Sequence, residues 1–365
     1  MPRLAGFILC LALLCPVLAL ENPSPNPSVP SSAVVGELRW LAFPQPQLEL
    51  RGLPWFSDNA PELWRFPQQA KAEIPVPVWK RAIAPDGGRI RLTSTTSRLL
   101  IKLQAAPDQA KQCFIDAYID DTLAGSVRAL AGESKELVLF EGKGREPKTL
   151  TIYLPHNSAI RVLSVGLDGD AEVKAPPAFA HQAPIVCYGS SVLQGTGAQH
   201  PAKTYPAVLA RHLDLDFVNL GFGGAGKAEP AVVALVNRLE ACCYIFDLGK
   251  SYGNQDKEAF VRMLATVRAA HPRVPILCVT PIYSTNEPKD AAYFEKSVRL
   301  RTMMRDAANE RRAAGDSFTH VVEGLELFGE GDKQLFHDPQ HPNDAGNELI
   351  GQRLVSLVAQ LVLEK

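Results

Sequence analysis

Four short stretches of the chain carry residues that could do chemistry. The first is "VCYGSSVLQG", in which an apolar run reaches Gly189 and is followed by Ser190 and Ser191. The second is "NLGFGGAG", Asn219 to Gly226, and the third "DLGKSYGN", Asp247 to Asn254. The fourth, "FHDPQHPNDAG", sets Asp338 three residues before His341. A serine hydroxyl is a weak nucleophile at neutral pH and needs an adjacent base. Imidazole supplies that base, and a carboxylate fixes its tautomer and steadies the charge that forms. Residues three apart in a turn point the same way, so one loop can deliver both base and carboxylate. Pro339 and Pro342 stiffen that loop, and Asn343 or Asp344 would cap a helix after it.

Each stretch also has a plainer reading. Gly-Ser-Ser after a strand can be a turn with a helix cap. "DPQHP" can be a surface loop, and "GFGGAG" a glycine-rich turn that would also suit a phosphate. Two motifs are excluded outright. Leu193 stands where a GxSxG elbow needs its second glycine. "YGSSVLQG" also lacks the GxGxxG of a dinucleotide fold.

The elements around these stretches decide what they do. After residue 182 five short apolar runs alternate with helix-period segments: "PIVCY", "DFVNL", "CYIFDL", "VPILCV" and "FTHVV". Helices are expected at about 203–213, 228–240, 256–271, 290–313 and 344–363. This rhythm predicts an α/β domain, a flavodoxin-like parallel sheet covered on both faces, over 182–365. In such sheets the site lies outside the carboxyl ends of the strands. All of the first three stretches fall there, and the fourth falls just before the last helix.

Residues 36–174 read differently. "RIRLTSTTSRLLIKLQ", "CFIDAYIDD", "KELVLFEG", "KTLTIYLP" and "IRVLSVGLD" are short alternating or β-branched runs, as in an all-β sandwich. "KAPPAFAHQAP" marks a junction. Residues 20–35 are rich in Pro and Ser and read as an extended linker. Residues 1–19 hold an apolar run ending in Val17-Leu18-Ala19, as in a cleaved signal peptide, so a secreted or periplasmic location is expected.

Bulk composition narrows the partners. The chain has 365 residues, 46% of them apolar, enough for a sizeable core. Its 38 basic and 39 acidic side chains give a net charge of -1, with no electrostatic footprint for nucleic acid. Once a signal is removed, no stable membrane insertion is expected. Cys113, Cys187, Cys242, Cys243 and Cys278 lack metal-type spacing and read as buried thiols, with a disulfide also open.

Together these blocks resemble those of an SGNH (GDSL-type) hydrolase, over residues 184 to about 362. The family's first block, Gly-Asp-Ser, is matched by Gly189-Ser190-Ser191. Its second block carries an oxyanion-hole glycine, whose role falls on Gly224. Its last block, Asp-x-x-His-Pro, is matched by Asp338, His341 and Pro342. "KTYPAVLARHL", with Tyr205 and Pro206, resembles the helix after the first block in a secreted branch that often carries an N-terminal β-sandwich. "LWRFP" and "VPVWKRA" are similar to that module. Two positions depart from the pattern: Ser190 replaces the usual Asp, and Ser251 stands where the third block normally has its Asn. The resemblance implies Ser191 as nucleophile, His341 as base and Asp338 as its orienter. Ser191 and Gly224 would hold the oxyanion, with Ser251 or Asn254 as third donor. No metal or organic cofactor is implied. The expected activity is hydrolysis of small acyl esters, acetyl groups on carbohydrate first among them, with a glycan or small-molecule ester as partner. Two alternatives stay open: a lipid esterase or thioesterase of the same family, and a non-catalytic glycan-binding protein. Oligomeric state is not legible.

Overall fold

The computed structural model describes residues 36–106, 113–130, 134–254 and 256–364. The signal peptide and linker expected at 1–19 and 20–35 lie outside them. Among the described residues no helix is long and apolar enough to cross a membrane.

The apolar runs after residue 182 form five parallel strands: β1 (Ile185–Gly189), β2 (Phe217–Gly221), β3 (Cys243–Asp247), β4 (Ile276–Val279) and β5 (Thr319–Val322). Their order is β2-β1-β3-β4-β5. Every residue of β1, β2 and β3 is buried, which is why these strands read as unbroken apolar runs rather than alternating ones. The chain leaves β1 toward one edge and returns to the other side through β3, so the switch point lies between β1 and β3.

The connecting helices are α1 (Ser191–Gln194), α2 (Tyr205–His212), α3 (Pro230–Val236), α4 (Lys257–Ala270), α5 (Ala291–Ala313) and α6 (Asp344–Val362). Asp256, Asp290 and Asn343 cap α4, α5 and α6 by accepting backbone N–H bonds. Asn343, not Asp344, is thus the cap. Asp344 instead accepts the N–H groups of Gln199 and His200, at 2.7 and 3.2 Å.

The N-terminal strands form two antiparallel sheets. One joins Leu38–Ala42, Ile160–Asp168, Leu99–Ala105 and Ser134–Phe140. The other centres on Arg89–Ser94, Lys148–Tyr153, Cys113–Ile119 and Thr122–Ala129. Ile90, Leu103, Ile115, Leu150 and Val165 fill the space between them. This is the expected sandwich, with one difference. The stretch between Gly52 and Gly88 leaves the sheets and forms helical turns, Phe56–Asn59, Gln68–Ala72 and Val76–Ala82. Trp55, Phe66, Val78 and Trp79 from it join the core under Tyr188, Val218 and Phe222 of the parallel sheet. Phe66 and Phe222 lie 5.2 Å apart, ring to ring. Residues Glu37–Lys365 form one compact unit. The sandwich keeps its own core between its two sheets, while Trp55, Phe66, Val78 and Trp79 pack into that of the parallel sheet.

Cys113, Cys187, Cys242, Cys243 and Cys278 are all buried. Burial pushes the Cys113 and Cys278 thiols up to about 12 and the Cys187 thiol higher still, so none of these three offers a thiolate nucleophile.

Candidate active site

Strand β1 ends where the sheet leaves no room for a side chain. A Cβ on Gly189 would stand 1.8 Å from the Asp247 carbonyl oxygen of β3. Ser190 follows, its N–H donating to that carbonyl at 2.6 Å. The Ser190 hydroxyl is buried. It accepts from the Val192 N–H at 3.2 Å, capping α1, and donates to Asp247 Oδ1 at 3.4 Å. The plain reading of the serine pair, a helix cap, is therefore right for Ser190.

Ser191 is the first residue of α1 and faces the other way. Its Oγ lies 2.8 Å from His341 Nε2. Behind the ring, His341 Nδ1 lies 2.8 Å from Asp338 Oδ2 and 3.0 Å from Oδ1. Burial tends to raise the Asp338 carboxyl, but bonds from His341 and from the Gln340 and His341 N–H groups outweigh it and hold the group below the usual range. An ionised Asp338 places the proton on Nδ1, so Nε2 presents its lone pair to the serine hydroxyl.

The loop that carries this pair is held at both ends. His337 N–H donates to the His341 carbonyl at 2.8 Å. The Pro339 carbonyl accepts from the Ser284 hydroxyl at 2.7 Å and the Thr285 N–H at 3.0 Å. Asn347, on α6, donates to the Pro342 carbonyl at 2.9 Å. The spacing of Asp338 and His341 thus becomes a fixed geometry rather than a floppy surface loop.

Two backbone donors converge near the nucleophile. Ser191 opens a helix, so its N–H has no intrahelical acceptor. Gly224 takes a left-handed φ of 72° and is exposed, its N–H donating to Ser251 Oγ at 3.3 Å. The third block therefore brings Ser251 against Gly224, beside the nucleophile in the same cleft. Asn254 goes elsewhere: Gly253, at a φ of 71°, turns the chain, and the Asn254 side chain accepts from Arg299 at 3.4 Å. Of the two candidate third donors, the structure brings in Ser251 and leaves Asn254 out.

Sequence reasoning missed a second layer. Gln194, fully buried, accepts the Gly223 N–H at 2.7 Å and donates to Asp86 Oδ1 at 3.0 Å. Asp86 also accepts the Asn157 N–H at 3.2 Å and lies 3.3 Å from buried Arg65. Arg65 donates to the carbonyls of Asn219 and Gly221, at 3.0 and 2.7 Å, and lies over the Phe222 ring. The glycine-rich block is thus clamped from the N-terminal module. That module also lines the cleft directly, through Arg81 and Asn157. The "LWRFP" and "VPVWKRA" stretches contain Arg65 and Arg81, but no local pattern announced where either would point.

Asp247 and Lys250 complete the floor. Burial pushes the Asp247 carboxyl up to about 6, against bonds from Tyr205 and Ser190 that favour its ionised form. Burial pulls the Lys250 amine down to about 8, opposed by Glu287 at 3.1 Å. The cleft above them has a volume of about 720 Å³ and holds Ser191, Gly224, Ser251 and His341 in its wall.

A doubly wound sheet with a serine, an imidazole and a carboxylate in hydrogen-bonded series at its switch point defines a class, the serine hydrolases that act on ester bonds. Residues 182–359 match the GDSL-like Lipase/Acylhydrolase family. The domain they form belongs to the SGNH (GDSL-type) hydrolases, here preceded by a β-sandwich. Solved structures share the fold across both parts. A Bacteroides ovatus protein assigned as a GDSL-like lipase is 23% identical, with a TM-score of 0.78 over 89% of this chain and 98% of its own. The salicylyl-acyltransferase SsfX3, from a tetracycline biosynthetic pathway, is 24% identical, with a TM-score of 0.78 over 91% of this chain and 99% of its own. A family two carbohydrate esterase from Cellvibrio japonicus is 14% identical, with a TM-score of 0.62 over 89% and 98%. No curated protein matches the chain.

Proposed function

We propose that the protein is a secreted esterase that removes small acyl groups, acetyl above all, from carbohydrate. The observation that carries the reaction is the 2.8 Å contact between Ser191 Oγ and His341 Nε2, with Asp338 behind the ring. Ser191 Oγ bonds to the acyl carbon as its proton passes to His341. The carbonyl electron pair moves onto oxygen, facing the N–H groups of Ser191 and Gly224 and the Ser251 hydroxyl. Collapse of this oxyanion expels the alcohol, which takes the proton from His341. Water, deprotonated by His341, then attacks the acyl-enzyme and releases the acid with Ser191 restored. The N-terminal apolar run motivates secretion. An open cleft lined mainly by polar and charged side chains, and the fold likeness to carbohydrate esterases, favour a sugar as the alcohol.

One observation favours a second reading, a longer or bulkier acyl group. A groove of about 560 Å³ borders the cleft at Gly224 and Lys227, and Pro77, Val78, Val233 and Met263 line it. A screen of acetylated sugars beside esters of increasing acyl length, with Ser191→Ala as control, separates the two. The first reading expects rates that fall beyond acetyl. Rates that rise with chain length favour the groove, and no turnover of any ester removes the proposal.

A further inference from the structure

The whole chain is nearly neutral, yet its cleft is not. The ionisable side chains that line it are Arg81, Lys227, Lys250 and Lys296, with Asp247 and His341. Of the two acids near the floor, Asp247 is buried under Ser190, its oxygens taken by Tyr205 and Ser190 at 3.1 and 3.4 Å. Glu287 sits behind Lys250 and also receives a two-bond contact from Arg301, at 2.6 and 3.0 Å. Asp338 is turned onto His341. Glu229, at the neighbouring groove, accepts from the Tyr188 hydroxyl and the Lys227 backbone N–H. That leaves Arg81, Lys227 and Lys296, none of which forms an ion pair among the described residues.

Solvated lysines scattered over a surface need no explanation. These three cations come from three distant segments: the end of the Val76–Ala82 helix, the position just after the glycine-rich block, and α5. They meet around one nucleophile in a concave site, where like charges raise each other's cost and the field is focused. We infer that the ester turned over here carries a carboxylate, which Arg81, Lys227 and Lys296 attract and orient beside Ser191. The substrate class is an acylated acidic saccharide, or another ester with an anionic group on its alcohol or acyl part. The inference deepens the esterase reading of this site and rests on it for the reaction, though not for the charge.

Two matched pairs test it. Acetoxybenzoate against its methyl ester places the charge on the alcohol side. Nitrophenyl hydrogen glutarate against nitrophenyl valerate places it on the acyl side. In at least one pair the anion should show a kcat/KM higher by roughly tenfold at low ionic strength, shrinking as salt rises. The same ratio should collapse toward one in the triple variant Arg81→Gln, Lys227→Gln, Lys296→Gln, with the single variants giving partial losses if the triple one does not fold. Calorimetric binding of each ester to Ser191→Ala needs no turnover and decides the charge question by itself. Tighter binding of the anion, lost in the charge variants, upholds the inference even if hydrolysis fails. Equal or weaker binding of the anion in both pairs overturns it, and leaves the esterase reading standing if the neutral esters are hydrolysed.

Discussion

Ser190 Oγ is buried against Asp247 and caps α1, whereas Ser191 Oγ meets His341 Nε2. Ser190→Ala is therefore expected to cost about 1 kcal/mol of stability, a lost cap, and to leave most ester hydrolysis in place. A thermal melt and one hydrolysis assay check both halves. Ser251 and Asn254 make a second contrast. Ser251→Ala should lower kcat by roughly 10–100-fold with a smaller change in KM, because a donor to developing charge acts mainly in the transition state. Asn254→Ala should be nearly silent, and Ser251→Asn should hold or raise the rate. A silent Ser251→Ala would remove the hydroxyl from the oxyanion site. At this scale the sequence was informative about which residue types stand at the strand ends, and less so about registers. The Ser251 or Asn254 choice turned on a 3₁₀ turn over Gly249–Tyr252 and the left-handed Gly253 after it, which spacing alone does not reveal.

At the scale of elements, the parallel strands and their five longer helices were legible because buried strands read as apolar runs and caps stand at helix starts. The clamp on the glycine-rich block was not. Arg65 lies 154 positions before Asn219, and Gln194 lies 108 positions after Asp86. Contacts of such range leave no periodicity behind. The clamp should nonetheless be felt in both stability and rate. Arg65→Met strands the buried Asp86 carboxylate and strips several carbonyls of their donor, so a loss of about 3–5 kcal/mol is expected in denaturant unfolding. Gln194→Leu frees the Gly223 N–H and with it the peptide leading to Gly224. Here kcat should fall about tenfold or more, with KM little changed. Unaltered kinetics in a folded Gln194→Leu protein would show that the peptide holds its position without the clamp.

Across the whole molecule, a buried acid couples the site to folding. Asp247 has a carboxyl raised from 3.8 to about 6 in the folded protein, chiefly by burial. Between those values the folded state holds more protons than the unfolded one. Its contribution is thus complete below about pH 4 and is lost as pH rises to about 6. Lys250, lowered to about 8, acts in the opposite sense, adding stability as pH climbs from about 8 toward 10.5. Asp247→Asn should remove the acidic part, so its melting temperature relative to the parent should rise across pH 4–6 and level off above. A difference that stays constant over that range would place the carboxyl at its ordinary value. The shared core of Trp55, Phe66 and Val78 with the parallel sheet carries a further lesson. Composition marked two rhythms along the chain, but packing joined them, since side chains at alternating strand positions do not disclose which neighbour they meet. The chemistry turns on one atom, Ser191 Oγ, and reaction with a fluorophosphonate followed by intact and peptide mass measurement reads that atom. A single adduct on Ser191 is expected, with parallel loss of labelling and ester hydrolysis in Ser191→Ala. An adduct on another residue, or hydrolysis retained in Ser191→Ala, would contradict it.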